Sequence, residues 1–250
     1  MKLITIALLA ASAAMLGMSA PAQASKMDSR IESAAQKSHV FKTYLKGDDV
    51  KVASKDGVVT LTGSVAENSH RSLAQETVSD LPGVKSVDNK LTVKNAAPEN
   101  SDAWLADKLR ITLLFHRSVS AGKTDVDVKN GVATLRGAAA SQAQKELTTQ
   151  YAKDVDGITD VKNEMTVKED PKAAKRTTGE RIDDTSITAQ VKMALIFHHS
   201  TSFLKTTVTT KNGIVTLGGK AKNTAEKDLV TKLVKDINGV KDVNNMMTAD

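Results

Sequence analysis

The chain has 250 residues, with 35 Lys and Arg against 29 Asp and Glu, a net charge of +6 and no cysteine. The absence of cysteine excludes disulfides, thiolate ligands and cysteine nucleophiles. One Trp, two Tyr and four Phe are too few for the exposed stacking platforms that grip sugars or single-stranded nucleic acid, so no nucleic-acid partner is expected.

Residues 1–24 carry Lys2, an apolar run from Leu3 to Leu16 and then Ala22-Gln23-Ala24, the layout of a cleaved signal peptide. That run is shorter than the ~20 residues of a membrane-spanning helix. The expectation is therefore an exported, soluble mature chain that begins near Ser25.

From Asp28 onward one 66-residue register recurs three times without a gap, at 28–93, 102–167 and 184–249. Counted from each opening Asp, glycine falls at +29 (Gly57, Gly131, Gly213), +35 (Gly63, Gly137, Gly219) and +55 (Gly83, Gly157, Gly239). Such fixed glycines mark bends and close backbone approaches. The connectors are residues 94–101 and the longer, charged and aperiodic 168–183, which predicts three small domains with the second joint the more flexible.

Each copy opens on a helical stripe at +3, +7 and +11: Leu105, Leu109 and Leu113 in the second, Ile187, Val191 and Leu195 in the third. An Asp, Ser or Thr beside its start can accept from the free N–H groups of the first turn. The first copy keeps Ile31 but has Ala35 and His39 next, which predicts the least firmly docked helix of the three. Two β-rich runs follow, separated by Asp56-Gly57, Asn130-Gly131 or Asn212-Gly213, a strong hairpin signal. The second run, Val58-Val59-Thr60-Leu61-Thr62-Gly63 in the first copy, closes on a glycine that would let the next helix approach. A second helical stripe at +45, +49 and +53 (Leu73, Thr77, Leu81; Leu147, Tyr151, Val155; Leu229, Leu233, Ile237) precedes a last strand such as Val87–Val93. The fold class predicted is α+β: three tandem αββαβ domains, each a three-stranded sheet with two helices on one face.

The run G-V-V-T-L-T-G at 57–63, followed by L-P-G-V-K-S-V-D-N-K-L-T-V at 81–93, resembles the BON domain, and the resemblance extends to all three copies. It implies the αββαβ fold just read. It also implies a periplasmic or outer-membrane location and a link to osmotic and envelope stress. The partners it implies are phospholipid surfaces or, alternatively, outer-membrane proteins that the chain would serve as a periplasmic chaperone or adaptor.

Charge separates the copies. The first and second each hold nine basic against nine acidic residues, whereas the third holds nine against five. An anionic membrane surface would therefore be met by the third copy, through Lys192, Lys205, Lys220, Lys222 and Lys227, with Phe197, Phe203 and Leu204 as apolar contacts. His116 and the pair His198-His199 share one register, but adjacent imidazoles diverge on a helix and no carboxylate sits at metal-site spacing, so no metal is expected. An Asn recurs at +61 (Asn89, Asn163, Asn245) and reads as an amide that satisfies loop backbone. No nucleophile elbow, zinc-protease helix, P-loop or paired carboxylate spacing is present. The sequence reads as a binding protein without cofactor rather than an enzyme, and its oligomeric state is left open.

Overall fold

The computed structural model describes residues 20–168, 182–201 and 206–249. Most of the signal segment, most of the second connector and residues 202–205 lie outside them. The first unit contains helices α1 (Ala20–Lys37) and α2 (His39–Thr43), strands β1 (Asp49–Lys55) and β2 (Val58–Val65), helix α3 (Asn68–Ser79), and strands β3 (Ser86–Asn89) and β4 (Thr92–Val93). The second runs α4 (Asp102–Phe115), β5 (Thr124–Lys129), β6 (Val132–Ala139), α5 (Gln142–Lys153), β7 (Asp160–Asn163) and β8 (Thr166–Val167). The third runs α6 (Asp184–Phe197), β9 (Thr206–Lys211), β10 (Ile214–Ala221), α7 (Thr224–Lys235), β11 (Asp242–Asn245) and β12 (Thr248–Ala249). The αββαβ order is thus the same in all three.

The hairpin turns are built as the sequence suggests. Asp56 and Gly57 both take positive φ (54° and 82°), as do Asn130-Gly131 and Asn212-Gly213, the geometry of a two-residue turn that matches strand twist. β2 is the central strand. It pairs antiparallel with β1, Val52 opposite Leu61, and parallel with β3, Val59 opposite Val87.

The third strand departs from expectation by being interrupted. β3 and β4 both pair with β2, with a break between Asn89 and Thr92. The recurrent Asn holds that break to the second helix. Asn163 Nδ2 donates to Lys145 O at 2.9 Å and Thr149 Oγ1 at 2.8 Å while its Oδ1 accepts from Met165 N. Asn245 repeats the pattern with Lys227, Thr231 and Met247, and Asn89 with Arg71, Gln75 and Leu91. The amide therefore serves local backbone, as its spacing implied.

Both helices of a unit cover one face of its sheet, where Val59, Leu61 and Val65 are fully buried. All nine repeated glycines have positive φ, but Gly63 serves a different neighbour from the one expected. A Cβ at Gly63 would lie 2.0 Å from Asp49 O on the paired strand, so strand pairing, not the following helix, requires glycine there. The close approach of a helix occurs instead at +55, where a Cβ on Gly157 would sit 2.6 Å from Leu105 on α4.

The opening Asp of each repeat has a role that spacing alone did not reveal. Asp102 accepts from Asn130 N at 2.8 Å and Gly131 N at 3.0 Å, and Asp184 and Asp28 clamp their own hairpin turns in the same way. Helix capping falls to the preceding residue: Ser101 accepts from Trp104 N and Asp183 from Ser186 N. At Asp28, hydrogen bonds from Ser54 and Gly57 hold the carboxyl below its ordinary 3.8. At Asp102, those from Gly131 and Asn130 do the same.

The units are not independent beads. One apolar cluster unites the cores of the first and third units and takes in Ile111 and Phe115 of α4; the rest of the second unit forms its own cluster, and Tyr151 touches both. The first copy's opening helix is also not loosely seated, because Ile31 is 1 % and Ala35 0 % exposed. It breaks instead, at Ser38, which caps α2 through Phe41 N. Past the break His39 N donates to Asp183 Oδ2 at 2.7 Å and Val40 N to Ser186 Oγ at 3.1 Å, fixing α2 to the start of α6.

Candidate functional site: the basic surface and the joints between units

The predicted cationic set divides into three groups. Lys192, on α6, is committed to the first unit: its Nζ lies 2.7 Å from Asp80 Oδ1 and 3.6 Å from Glu76 Oε2, with the side chain 20 % exposed. It is an inter-unit ion pair and is not available to an outside anion. Phe197 is half-buried against Lys108 of α4, whose Nζ is 5.4 Å from its ring centroid, so it packs within the protein. Lys205, Phe203 and Leu204 lie outside the described residues. Lys220 and Lys222 are exposed and Lys227 half-buried, and all three are placed around the turn from β10 into α7.

A second feature is the reciprocal joint between the second and third units. Asn238 N donates to Phe115 O at 2.8 Å and Arg117 N to Asp236 O at 3.0 Å. Asp156 N donates to Phe197 O at 2.8 Å and His199 N to Asp154 O at 3.0 Å. In repeat positions these are one pair of bonds made twice, +54 to +13 and +15 to +52, with the units exchanging roles. That is the self-complementary pattern of a two-fold interface. The first unit has Pro82 at +54, which has no N–H to give.

The histidines are part of this joint. His116 is 2 % exposed, stacks on Tyr151 with centroids 3.7 Å apart, and places Nδ1 3.3 Å from Asp236 Oδ2. His198 is 6 % exposed, with Nε2 3.7 Å from Asp154 Oδ2. Among the described residues no group of three His, Asp or Glu side chains could hold a metal ion. Burial opposes ionisation of Asp236, yet contacts from His116, Ser118 and Tyr151 hold it below 3.8. Burial also raises the Tyr151 hydroxyl pKa, and the neighbouring Asp236 adds to this. Arg117 Nη2 donates to the carbonyls of Lys235, Ile237 and Val240, closing the end of α7. Lys108, 4 % exposed, donates to Asp156 O at 2.8 Å and stands 4.7 Å from the Trp104 centroid. Burial lowers its pKa, with Asp156 opposing.

Two open grooves lie outside the joint between the second and third units. One, of about 340 Å³, runs between α3 and the 94–101 connector and is lined by Arg71, Gln75, Glu99 and Trp104; the other, of about 390 Å³, lies beside Asp184 and Lys241.

A sequence profile of the BON domain matches residues 27–95, 101–169 and 183–250. The chain belongs to the BON-domain family. The chain is similar to Osmotically-inducible protein Y of Escherichia coli (strain K12), with 30 % identity over 146 residues, 58 % of this chain and 70 % of that protein. Among solved structures, two of CdsD, described as a structural protein of the type III secretion system of Chlamydia trachomatis, align with 18 % and 17 % identity. They cover 88 % of this chain and 90 % and 95 % of theirs, at TM-scores of 0.25 and 0.23. Similarity at that level assigns nothing to this BON protein. No helix among its described residues is long and apolar enough to cross a membrane.

Proposed function

We propose that this tandem BON protein is an exported envelope-stress protein that adheres to anionic phospholipid surfaces by binding, without catalysis. Family membership and similarity to an osmotically inducible protein support the stress setting, and the layout of residues 1–24 supports export to the periplasm. The observation that carries the lipid reading is the uneven charge of the third unit, nine basic against five acidic residues, with Lys220, Lys222 and Lys227 around one turn. Lysines near an anionic surface contribute ~1 kcal/mol each, so three give weak, reversible adhesion. The second copy's balanced charge and its burial against the third make it a scaffold for that surface rather than a second contact.

A second reading, a chaperone or adaptor for outer-membrane proteins, is favoured by Ile214 and Met246, 46 % and 64 % exposed on the third unit. Vesicle flotation with and without an unfolded β-barrel protein separates the two. Retention on anionic vesicles alone, lost at high salt, supports the lipid reading. Flotation only with the unfolded protein, together with suppression of its aggregation, supports the other.

A further inference from the structure

The groove between α3 and the 94–101 connector is walled by polar groups that the chain itself leaves unused. Asn68, Arg71, Ser72 and Gln75 line one side of it and fall at i, i+3, i+4 and i+7 on α3, the stripe that a helix presents in one direction. The connector forms the other side through Ala97 and Glu99, tied to the helix by Asn68 Nδ2, which donates to Ala97 O at 3.2 Å. Trp104 of α4 completes the lining. Its helix is held against the start of α3 by Asp107, one turn along, whose Oδ2 accepts from Ser69 N at 3.0 Å and whose Oδ1 accepts from Ser69 Oγ at 2.5 Å.

The same stripe in the second unit satisfies itself. There Gln142 Nε2 donates to Glu146 Oε1 at 2.7 Å and Lys145 Nζ to Met165 O at 2.6 Å. In the first unit the side chains of Arg71 and Ser72 make no hydrogen bond or ion pair among the described residues, and neither does the Glu99 carboxylate on the opposite wall. Asn89 Nδ2 donates to Gln75 Oε1 at 3.1 Å, which leaves the Gln75 Nε2 donor unused.

The unused set is one cation and one anion on opposite walls, amide and hydroxyl groups along the helix, and an indole. A guanidinium takes a carboxylate in a two-pronged fork, and a carboxylate takes an ammonium group. Amides and hydroxyls hydrogen-bond a peptide group, and an indole packs against an apolar side chain. One charge of each sign has no net attraction for an anionic surface, and a free amino acid has no peptide group to meet the amides. The volume of about 340 Å³ is at the small end of ligand clefts, which run from about 300 to 1,000 Å³. We infer that this groove binds short peptides with free termini, the C-terminal carboxylate on Arg71, the N-terminal ammonium on Glu99 and a side chain against Trp104.

Trp104 is the single tryptophan of the chain, so its fluorescence in the full chain reports the groove without a second indole. Titration with trialanine gives a saturable change in emission. N-acetyl-trialanine and trialanine amide, each lacking one terminal charge, bind about tenfold more weakly, as does trialanine to Arg71→Gln or to Glu99→Gln, since each loses one charge-assisted contact. Both positions are exposed, and thermal melts check that the variants fold as the parent chain does. The capped peptides need no variant and decide alone if one misfolds. Where the emission is silent, NMR shifts of the Trp104 indole and the Gln75 side-chain amide decide on the same terms. No saturable response by either measurement, capped peptides bound as well as trialanine, or unchanged affinity in both variants would overturn the site. Free alanine bound as tightly as trialanine would overturn the peptide as its ligand.

Discussion

Tyr151 Oη donates to Asp236 Oδ2 at 2.6 Å, joining the second helix of one BON unit to the end of the same helix in the next. The matching residue in the third unit is Leu233, which has no donor, so the near-two-fold joint is reinforced on one side only. Tyr151→Phe should remove one charge-assisted bond and cost about 1–2 kcal/mol in urea unfolding. Asp236→Ala should cost more, because Ser118 and His116 also lose their partner. A double-mutant cycle with clear coupling between the two confirms the contact, and additive effects would count against it.

Gly63→Ala should destabilise by about 2 kcal/mol or more, because φ is +110° and the added carbon would meet Asp49 O on β1. Gly47→Ala is the control, since nothing lies within 4 Å of the Cβ it would add. Thermal melts of the two variants check this, and equal losses would refute the strand-crowding account.

The Asp clamps on the hairpin turns predict an acid sensitivity. Hydrogen bonds hold Asp28 and Asp102 below their ordinary 3.8. Their contribution is therefore complete above that value and is lost as pH falls through the folded-state value. Circular dichroism during acid titration should show the Asp28→Asn, Asp102→Asn double variant less stable near neutrality and with a shallower acid transition than the parent. An unchanged transition would mean that the clamps do not select the ionised form.

Lys192→Met should lower stability by about 1–2 kcal/mol, since it leaves the part-buried Asp80 and Glu76 without their cation. It should leave vesicle binding unchanged. Loss of vesicle binding at unchanged stability would restore Lys192 to the lipid-contact surface from which the ion pair removes it.

Most of the fold was legible because one pattern was written three times. The Leu105, Leu109 and Leu113 stripe, the Asn-Gly turns and the repeated glycines each have a local cause, and local causes leave periodic traces. The joints left no such trace. Asp107 and Lys192 look like ordinary polar helix positions, and their partners are in other copies, tens of residues away. A signal was nevertheless present: α6 carries Ala189, Met193 and Phe197 as well as its stripe of Ile187, Val191 and Leu195. A helix apolar over so much of its circumference is buried on more than one side. The candidate site was less legible, because a surplus of lysine shows the sign of a surface without showing which lysines other units neutralise.

Binding to vesicles of mixed neutral and anionic phospholipid, compared between the parent chain and a Lys220→Gln, Lys222→Gln, Lys227→Gln variant of equal thermal stability, tests the central claim most directly. The account predicts binding that depends on anionic lipid, weakens with salt and falls by about tenfold or more in the variant. Binding that is equal on purely neutral vesicles, or unchanged by the triple substitution, would contradict it.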